Sequence, residues 1–445
     1  MKGIVRQYLF ATFLWGLMVP VQADTDIEVS GQIRLRQQAD KRTFITSATT
    51  QHIAELRTRV GLAATVNNNA HAFIQFQDSR VAGAATQFGS PASGDLNDGK
   101  NVDIHQAYIQ IDNIFGEGWG GKAGRFEFNQ GNQRVFGAVG WHNVGRTWDG
   151  GMLWYDHPDF KVTSFWLKGL ELQDPSYNRD FDIFGLYSNI KAIDQCNLDL
   201  FAFYEYDSDT NGYAAGINKL DRINIGAYYR GEYQEFDFEF NGVFQLGTQP
   251  SGVPVWSGDT LMDTVKSEVD ISAFMLAFEV GYSFEGSANA RIAAGIDYAS
   301  GDDESDASKF KAYNNLYLTG HKFHGYMDYF LASVVEDKTY ENAGLMDLML
   351  RGKFNPATGW TIKGDLHYFT TAQDYTTLPS IDMPETITSK DVGIEIDLSV
   401  STTRVAGVNL SGGASVFLPK ETFAGMVDPD PGLWGWAMAT VNFGK

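Results

Sequence analysis

Residues 26–36 read DIEVSGQIRLR, and residues 53–62 read IAELRTRVGL. In the first stretch Ile27, Val29, Gly31, Ile33 and Leu35 share one parity, and Glu28, Ser30, Gln32, Arg34 and Arg36 share the other. The second repeats the pattern, with Leu56, Thr58, Val60 and Leu62 set against Glu55, Arg57 and Arg59. Successive side chains of a strand point to opposite faces, so each stretch reads as a strand with one apolar and one charged face.

The same two-residue period recurs along the chain. It marks eighteen candidate strands from 26–37 to 432–443, with no convincing amphipathic helix between them. Strand 234–246 sets Phe236, Phe238 and Phe240 against Glu235, Asp237, Glu239 and Asn241. Strand 388–400 sets Val392, Ile394, Ile396 and Leu398 against Asp391, Glu395 and Asp397. The final strand puts Leu433, Gly435, Ala437, Ala439, Val441 and Phe443 on one face, and the pleat turns Trp434 and Trp436 inward.

A soluble domain would have to bury all these apolar faces in one core, yet single cores usually split beyond about 250–300 residues. No linker or composition shift marks such a split. No run of 18 apolar residues follows residue 23, which argues against membrane-spanning helices. A closed barrel resolves the conflict, because lipid covers the apolar faces and closure leaves no unpaired edge.

The connections agree with that reading. Long ones cover 38–51, 81–100, 129–145, 169–180, 208–219, 247–270, 300–341, 371–387 and 418–431. They alternate with tight ones at Asn67-Asn68, Asp156-His157, Gln195, Tyr233, Glu285-Gly286-Ser287 and Asn355-Pro356-Ala357-Thr358. The expected fold is all-β: a transmembrane antiparallel up-and-down β-barrel of eighteen strands, with short periplasmic turns and long extracellular loops.

Lys2 and Arg6, the apolar stretch Tyr8 to Val21 and the site Val21-Gln22-Ala23 read as a signal peptide over 1–23, cleaved to leave 24–445 as a single outer-membrane barrel. The expected location is the bacterial outer membrane, with its lipid as partner. The terminal-strand Phe443 resembles the signal read by the outer-membrane assembly machinery, although Gly444-Lys445 follow it. The 34 basic residues are outnumbered by 55 acidic ones, for a net charge of −21, which argues against a nucleic-acid partner. The single cysteine, Cys196, excludes an intramolecular disulfide.

The charged faces supply the pore-lining candidates: Arg34, Arg36, Arg57, Arg59, Arg125, Arg146, Arg291, Arg351, Lys353 and Lys363, with the acids Glu127, Asp149 and Asp297. Basic rings in a narrow pore favour anionic solutes, and arginine forks pair with successive carboxylates. The competing reading is a set of rigidifying pairs: Arg125 with Glu127, Arg291 with Asp297 and Arg146 with Asp149. Strands 234–246 and 388–400 would add an opposing acidic arc.

No cofactor is expected. Asp302, Asp303, Glu304 and Asp306 offer enough oxygen ligands for calcium, although such runs are more often solvated loops. His321 and His324 lack the helix that would bring them onto one zinc. No serine sits in a nucleophile elbow, so the chain is not read as an enzyme. A barrel that adheres through its long loops is the remaining alternative.

Three segments carry a resemblance. Residues 122–155, KAGRFEFNQGNQRVFGAVGWHNVGRTWDGGMLWY, contain Gly-Arg, Gln-Arg, Trp-x-Asn-x-Gly-Arg and Asp-Gly in order. Residues 295–330 contain Asp297-Tyr298-Ala299-Ser300-Gly301-Asp302-Asp303, Tyr317-Leu318-Thr319-Gly320-His321-Lys322-Phe323 and Gly325-Tyr326-Met327-Asp328. Residues 352–371 contain Gly359-Trp360 and His367-Tyr368-Phe369. Together they resemble the alginate export porin family, departing from it at Phe126 and Gln130. The resemblance implies an eighteen-stranded, monomeric barrel passing polar or anionic solutes, with a uronate polysaccharide such as alginate as one such solute and a general nutrient-uptake porin as the alternative.

Overall fold

The computed structural model describes residues 25–82, 102–174, 177–193, 195–209, 219–257, 260–286, 288–330, 342–377, 383 and 385–444. The expected signal peptide lies outside them. The strands are β1 (Thr25–Lys41), β2 (Gln51–Val66), β3 (Ala70–Val81), β4 (Asp103–Asp112), β5 (Trp119–Phe126), β6 (Trp148–Asp156) and β7 (Phe160–Asp174). Next come β8 (Tyr177–Ile190), β9 (Cys196–Asp209), β10 (Lys219–Tyr233), β11 (Phe236–Ser257), β12 (Thr260–Ser283) and β13 (Arg291–Ala299). The series ends with β14 (Lys309–Phe310), β15 (Leu345–Phe354), β16 (Trp360–Thr377), β17 (Ile387–Thr402), β18 (Val408–Pro419) and β19 (Gly432–Gly444).

β14 is a two-residue strand lying parallel to β12 within a loop, and β13 pairs directly with β15. The other eighteen strands pair antiparallel with their chain neighbours, and β19 returns to β1 from Ser30↔Gly444 to Lys41↔Leu433. The sheet is therefore a closed eighteen-stranded barrel, as the alternation predicts.

Its two faces are inverted relative to a soluble protein. Leu35 is 55% exposed while Arg36 beside it is 5% exposed. Ile27, Val29, Ile33, Phe244, Leu246, Ile396 and Leu398 form part of an apolar exterior, and Glu55, Arg57, Gln245, Glu395 and Asp397 are buried inside. Only an apolar solvent outside the wall makes that arrangement favourable. At the β2–β3 connection Asn67 and Asn68 both adopt left-handed φ values, 50° and 62°, which suit a tight hairpin turn.

Two features differ from the sequence reading. The described residues of segments 169–180, 247–270 and 371–387, expected as loops, are largely strand: Leu172 pairs with Arg179, Thr248 with Asp270 and Thr376 with Thr388. Beyond the lipid neither face need be apolar, so the ladder continues without the alternation that announces it. The alternation of residues 388–400 predicts Val392 on the apolar outer face opposite Asp391. A register break leaves Phe369 paired with Gly393 and Thr370 with Asp391, so Val392 bulges inward and Asp391 faces out, accepting from Tyr368 Oη at 3.1 Å.

Candidate functional site: a lumen bridged by two loops

Residues 127–147 and 311–330 fold into the barrel and bond to each other. Gly137 N–H donates to Tyr317 O at 2.9 Å, Tyr317 N–H to Val135 O at 3.1 Å and Thr319 N–H to Gln133 O at 3.0 Å. The rings of Phe136 and Tyr317 stack at 5.3 Å. On one side Phe126, Phe128, Val135 and Phe136 pack against inward-facing Phe165, Leu167, Ile183 and Phe203. Burying a large apolar side chain contributes about 1.5–3 kcal/mol, so this cluster anchors the first loop to β7, β8 and β9. An apolar patch on an otherwise polar inner wall is what the loop covers.

The opposite side of that loop meets the arginines of β1 and β2. Arg34 donates to Gly140 O at 2.9 Å and Asn143 Oδ1 at 3.2 Å. Arg57, its cross-strand partner, donates to Gly140 O and His142 O, both at 3.1 Å, and to Gln32 Oε1 at 2.7 Å. Arg36 reaches Trp141 O at 2.8 Å and Glu55 at 2.7 Å. Arg59 binds Gln77 at 2.6 Å, Glu127 at 3.1 Å and Val144 O at 3.2 Å. The planar guanidinium presents several donors in fixed directions, which suits a cradle of backbone carbonyls.

The second loop spans from β9 to β17. Tyr317 Oη donates to Glu205 at 2.5 Å, Arg351 donates to Phe323 O at 2.9 Å, and Met327 N–H donates to Glu395 at 2.8 Å. Trp141 of the first loop stacks on His321 of the second at 4.2 Å and 7°. Burial, and then Glu205, push the Tyr317 phenol well above its ordinary range. Burial likewise lowers the Lys322 ammonium, whose Nζ donates to Asn132 O at 2.9 Å.

The expected pairs are rearranged. Arg125 and Asp149 bond to each other at 2.8 Å, not to Glu127 and Arg146. Both lie on the outer face near the long-loop rim, because Phe126 and Lys122 take the inner parity of β5. The glycine-rich sequence of β5 gave no apolar alternation from which to read its face. Arg146 instead donates to Tyr317 O at 2.6 Å. Glu127 accepts from His105 at 2.8 Å as well as Arg59; burial alone would raise its carboxyl, but these two partners hold it below the usual value.

Arg291 pairs with Asp237 and Glu279, both at 2.8 Å, while Asp297 meets Arg134 and His324. Arg351 shares Glu279 at 3.1 Å. Lys353 and Lys363 face each other across β15 and β16, and neither makes an ion pair or hydrogen bond among the described residues. Arg134, Trp141, Tyr317 and Lys322 carry no strand alternation that marks them as lumenal, although all lie in the quoted segments 122–155 and 295–330.

The acidic run does not gather around one point. Asp303 accepts from Ser305 and Lys311, Asp306 from Ser308, and Asp302 from Glu304 N–H. Among the described residues no group of three or more His, Cys, Asp or Glu is placed to hold a metal.

Beneath the loops, on the side of the short turns, two cavities open. One of about 470 Å³ is lined by Arg291, Lys322, Arg351, Lys353 and Lys363, with Glu279 and Asp365. The other, of about 690 Å³, is lined by Lys122, Lys161 and Arg230, with Glu127 and Asp199. The first is strongly basic and the second has a slight cationic excess, in a chain of net charge −21.

A closed barrel with an apolar exterior and a polar lumen narrowed by inward loops defines a porin-type outer-membrane channel protein. The chain belongs to the alginate export family, which it matches over residues 25–428. Its fold is similar to that of OccAB4 from Acinetobacter baumannii, at TM-score 0.56 and 8% identity over 96% of this chain and 99% of that one. It is also similar to a BenF-like porin from Pseudomonas fluorescens Pf-5, at TM-score 0.55 and 10% identity over 94% and 99%. OccK5 (OpdH) of Pseudomonas aeruginosa gives TM-score 0.53 and 11% identity over 95% and 98%. At such identities the likeness is one of fold. No curated protein sequence matches significantly.

Proposed function

We propose that the protein is a passive, non-enzymatic channel of the bacterial outer membrane for polar anionic solutes, an acidic polysaccharide such as alginate among them. The supporting observation is the excess of basic over acidic side chains around the cavities beneath the loops of a strongly acidic chain, marked in the first and slight in the second. In a low-dielectric wall such charge concentrates anions where the passage is narrowest. The proposal includes a monomeric barrel inserted by the outer-membrane assembly machinery, with lipid around it.

A second reading, uptake of small nutrient anions, draws on the cavity sizes. Volumes of about 470 and 690 Å³ suit single small molecules. Single-channel recording in a planar bilayer with asymmetric KCl tests the channel: an anion-selective reversal potential is expected. Stable insertion without conductance, or clear cation selectivity, would overturn the proposal. Added triuronate that blocks current favours the polymer, and monomers alone that permeate favour uptake.

A further inference from the structure

The second loop rests on β17 through two buried carboxyl groups that no cation answers. Glu395 and Asp397 point inward from one face of the strand, at 0% and 2% exposure. Met327 N–H donates to Glu395 Oε1 at 2.8 Å, and Tyr326 N–H donates to Asp397 Oδ2 at 3.3 Å. Gly325 packs directly on the Glu395 carboxyl: its φ is +79°, and a Cβ there would lie 2.5 Å from Glu395 Cδ. The loop backbone is shaped to these two side chains.

The surrounding groups do not neutralise the pair. On β16, Asp365 stands opposite Asp397, and His367 stands opposite Glu395 with its Nδ1 bonded to Asp347 at 2.8 Å. On β15, Arg351 is committed to Glu279 and to Phe323 O. On β18, Ser415 Oγ donates to Asp397, and Phe417 faces Glu395. Within the loop, Asp328 adds a further carboxyl, bonded to His321 at 2.8 Å, His324 lies 3.4 Å from Asp297, and Tyr329 Oη donates to Arg42 O at 2.6 Å. Arg42, just after β1, donates to Met327 O at 3.0 Å and pairs with Asp40. Among the described residues no Lys, Arg or His bonds to Glu395 or Asp397. Yet the two carboxyls hydrogen-bond to each other, which two ionised groups, both acceptors only, cannot do.

We propose that Glu395 and Asp397 share one proton, and that the protonated pair is a pH-operated latch for the second loop. With the proton in place one carboxyl donates to the other, the remaining oxygens accept the N–H groups of Tyr326 and Met327, and residues 325–327 stay seated. Once the loop lifts, both carboxyls meet water and ionise, as exposed carboxyls do near neutral pH. The seated state therefore binds one proton more than the released state. By linkage, seating is fully favoured in acid and is lost as pH rises through the titration of the seated pair. His321, Lys322 and Tyr326 line the 470 Å³ cavity, so release of the loop widens the passage. The latch rests on the channel reading only for its effect on current.

Hydrogen–deuterium exchange of the full chain in detergent, from about pH 5 to about pH 9 and corrected for the intrinsic pH dependence of exchange, tests it. Amides of residues 323–330 should lose protection about tenfold or more as pH rises, while those of the surrounding strands hold theirs. Glu395→Gln supplies a permanent N–H in place of the shared proton and should keep the loop protected throughout; Asp397→Asn should likewise remove the step. His321→Gln and His324→Gln should each retain the wild-type step, which separates the pair from the imidazoles of the loop. Conductance in a planar bilayer should rise over the same range in the wild type and stay flat in Glu395→Gln. Flat protection in the wild type, or a step that persists in both Glu395→Gln and Asp397→Asn, overturns the latch. A barrel that never conducts overturns the channel reading alone, because exchange still decides the latch.

Discussion

The lumen has two basic walls built from the same alternation, and they meet different fates. On β1 and β2, Arg34, Arg36 and Arg57 are buried and Arg59 is largely covered by residues 140–144, whose carbonyls engage every one of them. On β15 and β16, Lys353 and Lys363 look onto open space. The difference teaches that a lumenal charge acts on solute only if nothing of the protein lies opposite. Arginine on the first wall holds a loop, and lysine on the second is free to meet an anion.

The largest effect should come from separating the first wall from its loop. Arg34→Ala/Arg57→Ala leaves the carbonyls of Gly140 and His142 without these donors and should cost about 4 kcal/mol in loop retention. The expected readout is a several-fold rise in single-channel conductance with a lower melting temperature. Unchanged conductance would mean that the apolar anchor alone holds the loop.

Phe136→Ala tests that anchor from the other side. A cavity among Phe128, Phe165 and Phe203 should cost about 3 kcal/mol and give noisy, flickering current. Quiet current at wild-type stability would contradict a packed attachment. On the second wall, Lys353→Gln/Lys363→Gln should lower the anion-to-cation permeability ratio about threefold. Melting should hold or rise slightly, because the substitution removes a directly opposed like-charge pair; a destabilised variant would erase the contrast between the walls.

A smaller effect concerns acid. The depressed carboxyl of Glu127 contributes stability that is fully present above its unfolded value of about 4.3 and lost as pH falls through its lower folded value. Loop attachment, followed by conductance, should therefore loosen below about pH 4 in the wild type, and Glu127→Gln should remove that acid-dependent step. Least of all should follow from Asp149→Asn, which breaks an exposed outer-face pair with Arg125 worth about 1 kcal/mol or less. A selectivity change in that variant would place the pair in the ion path after all.

Much of the architecture was legible because its cause is local. The apolar parity of Ile33 and Leu35, or of Ile396 and Leu398, reflects lipid on one side of each strand, and it needs no knowledge of other strands. Where lipid stops, at Leu172 or Thr248, the signal stops although the ladder continues. Where a bulge intervenes, parity inverts, as at Val392. In β5 glycine removes the signal, and Arg125 lies on the outer face although its charge alone points to the lumen.

The sequence by itself determined a closed barrel of eighteen strands, the inward parity of most charged residues and the position of its tight turns. Only the tertiary structure decided which charges face solute. Arg34 meets Gly140 and Arg351 meets Phe323 across the lumen, and Asp297 meets Arg134 on the folded-in loop. Face is set by a two-residue period within one strand, whereas partners are set by barrel closure and loop entry, which join residues far apart in the chain.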